Sequence, residues 1–144
     1  MEPYDRSQPT PTSITSLITD RYPGVFVAEA MNASFFSRSD KHWPNFATIV
    51  TTDEHDTASD LSRPGTFRLN IGVTGATFDR LTAAVGEPDF TAFDRLFPHP
   101  VYAAQHWIGI VNPTTATFET VVIALLDEAH ERLAAQQARH AGKR

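Results

Sequence analysis

The clearest alternation of apolar and polar residues in the chain runs from position 66 to position 73. The apolar set is Phe67, Leu69, Ile71 and Val73, and the set between them is Arg68, Asn70 and Gly72. Side chains alternate between the two faces of a sheet along a strand. The pattern therefore predicts a half-buried antiparallel strand with Arg68 and Asn70 together on its exposed face.

Other extended segments are predicted on both sides of this strand. Three short ones precede it and are rich in β-branched and aromatic residues, at positions 25–30, 33–37 and 46–51. Positions 101–111 are apolar on both faces apart from Gln105 and His106, which predicts a long central strand. Between these segments, the sequence Arg63-Pro64-Gly65-Thr66 is typical of a type II turn, and positions 53–62 are polar enough for a helical turn at most.

Helical spacing of apolar residues occurs in three places. The first helix covers positions 14–22 with Thr12 or Ser13 as its cap, and the second follows Thr74 and ends near Gly86. The third begins near Thr115 and keeps its apolar stripe for about four turns. A further helical turn is expected at positions 90–97. This order predicts an α+β fold: a mostly antiparallel sheet of about five strands, with helices largely on one face and the other face open.

The length of 144 residues fits one domain, which we place at residues 13–138. Residues 1–12 contain three prolines and few apolar residues, so we expect a disordered tail there. The basic residues of 139–144 are expected to fray.

Composition narrows the classes of function. The net charge is −5, which disfavours nucleic acid as a partner, and there is no cysteine for a disulfide, a thiol nucleophile or a cysteine zinc site. No apolar run approaches the length of a membrane span, so we expect a cytoplasmic protein without a membrane partner. The phosphate-binding, dinucleotide-binding and serine-hydrolase motifs are missing, and we expect no cofactor.

A candidate ligand site combines residues from two predicted strands. Arg68 and Asn70 share a face, where a guanidinium and an amide are suited to bind an acidic or polar group. His106 interrupts the apolar strand beside Trp107, and Asp94 and His99 come shortly before that strand. The candidate residues are therefore Arg68, Asn70, Asp94, His99, His106 and Trp107. The alternatives are a solvated strand face for Arg68 and Asn70, a hydrogen-bonded core histidine for His106, and a local Asp94–Arg95 pair with a turn histidine at His99.

The acidic segment at positions 53–60 raises the question of a metal. It contains four carboxylates and one histidine: Asp53, Glu54, His55, Asp56 and Asp60. Their spacing differs from that of a calcium-binding EF-hand loop and from that of a facial triad. We expect a solvated loop there and no metal site.

Two stretches of the sequence carry a family resemblance. They are FATIVTTDEHDTASDLSRPGTFRLNIGV at 46–73 and DFTAFDRLFPHPVYAAQHWIGIVNP at 89–113. They resemble the bacterial family catalogued as domain of unknown function 6194 (DUF6194), over about residues 13–135. More distantly, the chain resembles the MmcQ/YjbR-like group, which implies a small α+β sandwich with a curved antiparallel sheet. No activity is established for the nearer family, so this resemblance implies none. The DNA-binding suggestion attached to the wider group rests on structural analogy.

Three hypotheses of function follow. The first is a non-catalytic module that binds a small anionic or aromatic ligand, or a protein partner, on the open sheet face around Arg68 and Asn70. The second is a cofactor-independent cyclase, isomerase or hydrolase in which His99 or His106 is the general acid or base and Arg68 holds an anionic substrate. The third is DNA binding by fold analogy. Homodimer formation through a sheet face or edge stays open.

Overall fold

A computed structural model describes residues 8–141 of the chain. Its six strands form a single antiparallel sheet in the order β1-β2-β3-β4-β6-β5. The strands are β1 (Phe26–Ala30), β2 (Ala33–Ser37), β3 (Asn45–Val50), β4 (Arg68–Gly72), β5 (Leu96–Pro98) and β6 (Trp107–Val111). The α+β class is confirmed, with six strands where about five were predicted.

Helices occur at both ends of the described chain and between β4 and β5. They are α1 (Pro11–Arg21), α2 (Gly75–Thr82), α3 (Thr115–Thr117), a π-helical turn (Phe118–Val122) and α4 (Ile123–Ala141). The last three follow one another without a break. A short 3-10 helix, Ala103–Gln105, lies just before β6.

The main core lies between the sheet and the helices α1 and α4. Alternate residues of β3, β4 and β6 meet apolar residues of the helices, and the central members are Ile14, Ile18, Ile49, Leu69, Ile71, Ile108, Ile110, Val122 and Leu126. Each is no more than 1% exposed. Burying one such side chain contributes about 1.5–3 kcal/mol, so this face supplies most of the driving force for folding.

The opposite face of the sheet is covered at β4, where an open face was predicted. Arg68 is 1% exposed and Asn70 is 2% exposed. Residues 53–62, which form turns and no helix, contribute Asp56 and Ser59 to this covering through hydrogen bonds to Arg68. The expectation that β4 is half exposed is therefore wrong, because the loop after β3 folds back over the polar side of the strand.

The segment before β6 differs most from its prediction. Positions 101–106 are not extended: they contain the 3-10 helix, and His106 has a left-handed backbone with φ of 68°. The helical turn expected at 90–97 is wrong, because Leu96–Pro98 is a strand whose Phe97 pairs with Gly109. Pro98 and Pro100 lack the amide hydrogen that a helix needs, and the pairing of Leu96–Pro98 with β6 determines the extended conformation.

The first helix begins earlier than predicted. Thr10 caps α1 and forms a reciprocal capping box with Ser13, and Pro11 is the first helical residue. Positions 1–7 and 142–144 lie outside the described residues, so the predictions of a disordered tail and a frayed end stay predictions. At the carboxyl end of the described residues, α4 continues to Ala141.

Candidate functional site

Arg68 is the centre of a buried polar cluster on the covered face of the sheet. Its Nη2 donates to Asp56 Oδ2 at 2.6 Å, and its Nη1 donates to Asp56 Oδ1 at 3.0 Å and to Ser59 Oγ at 3.1 Å. Its Nε donates to Asn70 Oδ1 at 2.8 Å. These bonds from Arg68 hold the pKa of the Asp56 carboxyl below its usual value. The guanidinium is therefore neutralised and bonded within the protein.

Asn70 extends the cluster along the sheet. Its Nδ2 donates to Thr48 Oγ1 on β3 at 3.0 Å. On the other side, a Cβ placed on Gly109 of β6 would lie 3.1 Å from Asn70 Oδ1 and 2.8 Å from a ring carbon of Phe97. The absence of a side chain at Gly109 is what allows the Phe97 ring and the polar cluster to approach β6.

His99 lies beside this cluster and holds the loop that follows it. Its Nδ1 accepts hydrogen bonds from the amides of Val101 and Tyr102, both at 3.0 Å. The imidazole is 5% exposed, and burial followed by the charge of Arg68 lowers its pKa to about 4, while Asp56 acts in the opposite direction. His99 is therefore neutral near pH 7, with its proton on Nε2 because Nδ1 accepts.

The loop held in this way carries two large exposed apolar side chains. Val101 is 54% exposed and Tyr102 is 55% exposed. The Tyr102 ring lies 5.0 Å from the His99 ring, and the Tyr102 carbonyl accepts from the Trp107 amide at 3.3 Å. We call residues 99–106 the His99 loop. It joins β5 to β6 and is fixed at its base by the bond from the His99 amide to the Trp107 carbonyl, at 2.9 Å.

Trp107 lies on the same face of the sheet as Gly109, two positions away. It pairs with Gly72 of β4, and a Cβ on Gly72 would lie 2.9 Å from the indole. The half-buried indole therefore lies over Gly72 of β4, next to the His99 loop. Of the predicted site residues, the structure brings Arg68, Asn70 and His99 together, with Trp107 adjoining them.

His106 does not join this group. Its carbonyl accepts a hydrogen bond from the amide of Val73, which follows the last residue of β4, whereas Arg68 is the first residue of that strand. Its exposed imidazole contacts the ring of Phe78, with 5.6 Å between centroids, and lies next to Gly75. The predicted convergence of Arg68, His99 and His106 is therefore corrected: because β6 starts only at Trp107, His106 lies in the turn before the strand.

Asp94 binds the residues at the start of α3 and is not part of the cluster. Its Oδ1 accepts from the Thr114 amide at 2.8 Å, and its Oδ2 accepts from the hydroxyl of Thr117 at 3.2 Å. The N-cap residue of α3 is Thr114, whose hydroxyl accepts from the Thr117 amide, and the Asp94 carboxylate supplies negative charge at this amino end, where it is favoured.

The acidic segment at 53–60 is bonded within the protein. Asp53 accepts from the Leu61 amide, Asp56 binds Arg68, and Asp60 lies 3.8 Å from Nε of Arg63. Within residues 8–141, no three His, Cys, Asp or Glu side chains are grouped so that they could hold a metal ion. The sequence analysis did not predict that Asp56 and Ser59 bind Arg68. A buried guanidinium needs a counter-charge, so this pairing was predictable only if Arg68 had first been recognised as buried.

Comparisons with known proteins place the chain in a family. Within the part of the chain that the structure describes, no helix is both long enough and apolar enough to cross a lipid bilayer. No curated protein and no solved structure matches the chain. The sequence model of a family of unknown function, DUF6194, matches residues 9–142. The chain therefore belongs to the DUF6194 family.

Proposed function

We propose that this protein is a non-catalytic interaction module that binds a protein partner through Val101 and Tyr102 of the His99 loop. The observation that carries the proposal is the pair of hydrogen bonds from the Val101 and Tyr102 amides to His99 Nδ1. A loop that is fixed before binding loses less conformational entropy when a partner docks, so exposed side chains on it are effective anchors.

The chemistry of the His99 loop favours a protein over a charged ligand. From Pro98 to Trp107 the chain contains no Asp, Glu, Lys or Arg. The centres of protein interfaces are depleted in charge and enriched in aromatic residues, and tyrosine is a frequent hot-spot residue. The partner we propose is a protein surface with an apolar pocket for Tyr102 and backbone groups that can pair with its hydroxyl.

The buried cluster supports this choice, because it offers no binding site for an anion. Arg68 is 1% exposed and forms two bonds to the carboxylate of Asp56. A ligand carboxylate would have to displace Asp56 and the covering loop. We therefore assign the cluster a supporting role next to His99, in place of the anion-binding role that the sequence suggested for Arg68.

Catalysis by a histidine general base receives less support from the same geometry. The lone pair of His99 Nδ1 is used by two amides, and its lowered pKa of about 4 makes the imidazole a weak base. His106 is exposed, but it lies beyond the end of β4 opposite Arg68. Neither histidine combines an available nitrogen with the cation that the enzyme hypothesis requires.

The test is to identify the partner and measure its affinity. A photo-crosslinking phenylalanine analogue at position 102, and the same analogue at the equally accessible position 93 as a control, would be used to capture partners from a lysate of the source cell. The captured protein is then purified and its Kd measured against the wild type and three variants: Tyr102→Ala, Val101→Ser and Phe93→Ala. We expect Tyr102→Ala to weaken binding about tenfold or more, and Phe93→Ala to change it less than about twofold.

Two results would overturn the proposal. The first is a partner whose affinity is unaffected by both Tyr102→Ala and Val101→Ser. The second is crosslinking from position 102 only to another copy of this chain, together with a dimer in sedimentation that Tyr102→Ala dissociates. Circular dichroism of each variant shows that any loss of affinity does not come from unfolding.

A further inference from the structure

Strand β1 is one edge of the sheet, and the His99 loop lies at the other edge. The strand order places β1 and β5 at the two ends of the sheet. Proteins protect such edges by short strands, proline, charge or a covering segment. β5 has three residues and ends in Pro98, whereas β1 has five residues with one charge and no proline, and none of them is buried. β1 is therefore the edge that is open to a further strand.

The hairpin turn after β1 determines which of its backbone groups point outward. Met31 and Asn32 form a two-residue turn, and both have a positive φ, of 53° and 58°, as in a type I′ hairpin. The two residues that flank such a turn exchange both hydrogen bonds, and the pattern alternates from there along the strand. Ala30 therefore bonds inward to β2, and the amides and carbonyls of Val27 and Glu29 point outward. Within the described part of the chain, no turn, loop or helix pairs with these outward groups.

The two ends of β1 have complementary shapes. At its start, the side chain of Phe26 is 39% exposed, and its ring contacts the ring of His42 edge-on with 6.2 Å between centroids. At its other end, Ala30 and Ala33 help to line a depression of about 390 Å³. An exposed aromatic ring and a depression large enough to receive it thus lie at opposite ends of one strand. Antiparallel pairing of β1 with a second β1 brings these two ends together.

We infer that two copies of this chain associate through β1, in antiparallel pairing about a two-fold axis at Ala28. In this register Val27 of one copy exchanges both backbone hydrogen bonds with Glu29 of the second copy, and the symmetry repeats the exchange. Phe26 lies opposite Ala30 of the second copy, next to the depression. The two Ala28 residues face each other on the axis, where their small side chains allow close approach. The interface does not rest on the proposed function, because the His99 loop takes no part in it.

Charge and geometry favour this register over its neighbours. An axis at Glu29 places the two carboxylates directly opposite each other, which is destabilising. An axis at Val27 places Glu29 opposite Val25, whose amide already donates to the carbonyl of Tyr22. Only the axis at Ala28 pairs all the outward groups of the strand.

The association is measured by sedimentation equilibrium of the full chain from about 1 μM to about 1 mM. We expect a monomer–dimer equilibrium with a Kd of about 50 μM. Glu29→Pro should abolish the dimer, because proline removes an outward amide that no bond within the chain uses. Glu29→Gln is the matched control: it keeps that amide and removes the charge, so it should associate at least as tightly as the wild type.

Side-chain variants locate the interface. Phe26→Ser should weaken the dimer about tenfold, because it removes the ring that enters the depression of the second copy. Phe93→Ser changes a phenylalanine of similar exposure outside this edge, and Tyr102→Ala changes the His99 loop. Both should leave the dimer unchanged, which separates this interface from the proposed function.

A single introduced thiol reports the register, because the chain contains no cysteine. Ala28→Cys places two thiols opposite each other in a pair without backbone hydrogen bonds, with about 4.5 Å between Cα atoms, a distance that a disulfide spans. Ala30→Cys is the control, because its position in the dimer is opposite Phe26. We expect mild oxidation to crosslink Ala28→Cys about tenfold faster than Ala30→Cys or more.

Three results would overturn the inference. They are a monomer at every concentration, a dimer that a folded Glu29→Pro variant retains, and crosslinking of Ala30→Cys as fast as that of Ala28→Cys. Circular dichroism establishes that each variant is folded. If Glu29→Pro does not fold, the comparison of the two cysteine variants decides the question, because neither changes a backbone hydrogen bond.

Discussion

Arg68 and Asp56 are joined by two parallel hydrogen bonds across 12 positions of sequence, with the guanidinium 1% exposed and the carboxylate side chain 15% exposed. The pair fastens the loop after β3 to the centre of the sheet. Through Asn70 it also contacts the part of β6 that Phe97 covers. It therefore forms part of the base on which the His99 loop rests.

Removing one partner of this pair should strongly destabilise the fold. Asp56→Ala leaves a buried guanidinium without its counter-charge, and we expect the free energy of unfolding to fall by about 3 kcal/mol. Urea unfolding provides the measurement. Asp60→Asn is the matched control, because the contact of Asp60 with Arg63 is long and solvent-exposed and asparagine tolerates the left-handed backbone at this position, and it should cost less than about 1 kcal/mol. Equal losses of unfolding free energy in the two variants would show that the buried pair stabilises the fold no more than the exposed contact does.

The stability should depend on pH through His99. Burial lowers the pKa of its imidazole to about 4, whereas the ordinary value is about 6.5. The unfolded chain then binds more protons between these values, so stability is full above about pH 6.5 and decreases as the pH falls towards 4. His130, whose pKa burial also lowers, contributes in the same direction.

His99→Asn tests this assignment, because an amide oxygen can accept from the loop amides without titrating. The difference in melting temperature between pH 7 and pH 5 should shrink in His99→Asn and stay unchanged in His106→Asn, which alters an exposed imidazole. A pH dependence identical in wild type and His99→Asn would assign the effect to other groups.

Gly109 should tolerate no side chain. A Cβ there would lie 2.8 Å from the Phe97 ring, so Gly109→Ala should destabilise the protein by about 1–3 kcal/mol. Gly86→Ala is the comparison, because nothing lies within 4 Å of its Cβ position, and we expect a neutral or slightly stabilising effect. Denaturant unfolding of both variants checks the prediction, which fails if Gly109→Ala is as stable as Gly86→Ala.

Asp94 should affect stability but not the proposed interaction. Asp94→Ala removes the acceptor of the Thr114 amide and of the Thr117 hydroxyl and places alanine on a left-handed backbone, with φ of 63°, so the expected loss is about 2 kcal/mol. Thermal unfolding measures the loss, and the Kd for the captured partner should stay within about twofold of the wild type. A large loss of affinity in a folded Asp94→Ala protein would assign this residue to the interface.

Local patterns predicted the parts of the fold that depend on local chemistry. The apolar stripe of α4 and the alternation of β4 were sufficient for the element type, and so for the α+β class. The environment of β4 was not predictable in the same way, because burial of Arg68 depends on Asp56, which a separate loop supplies. The hydrogen bonds from the loop amides to His99 depend on the pairing of β5 with β6, which fixes the position of His99. That pairing was not predictable, because β5 is too short to show a periodic pattern of apolar residues.

The amide hydrogen exchange of Val101 and Tyr102 tests the central claim most directly. Both amides lie on an exposed loop, yet each donates to His99 Nδ1. We predict that NMR shows them exchanging about tenfold or more slowly than an unstructured chain, and that His99→Ala removes this protection while the amides of β4 stay protected. Exchange of both amides at unprotected rates in the wild type would contradict the account, since the loop would then not be held by His99.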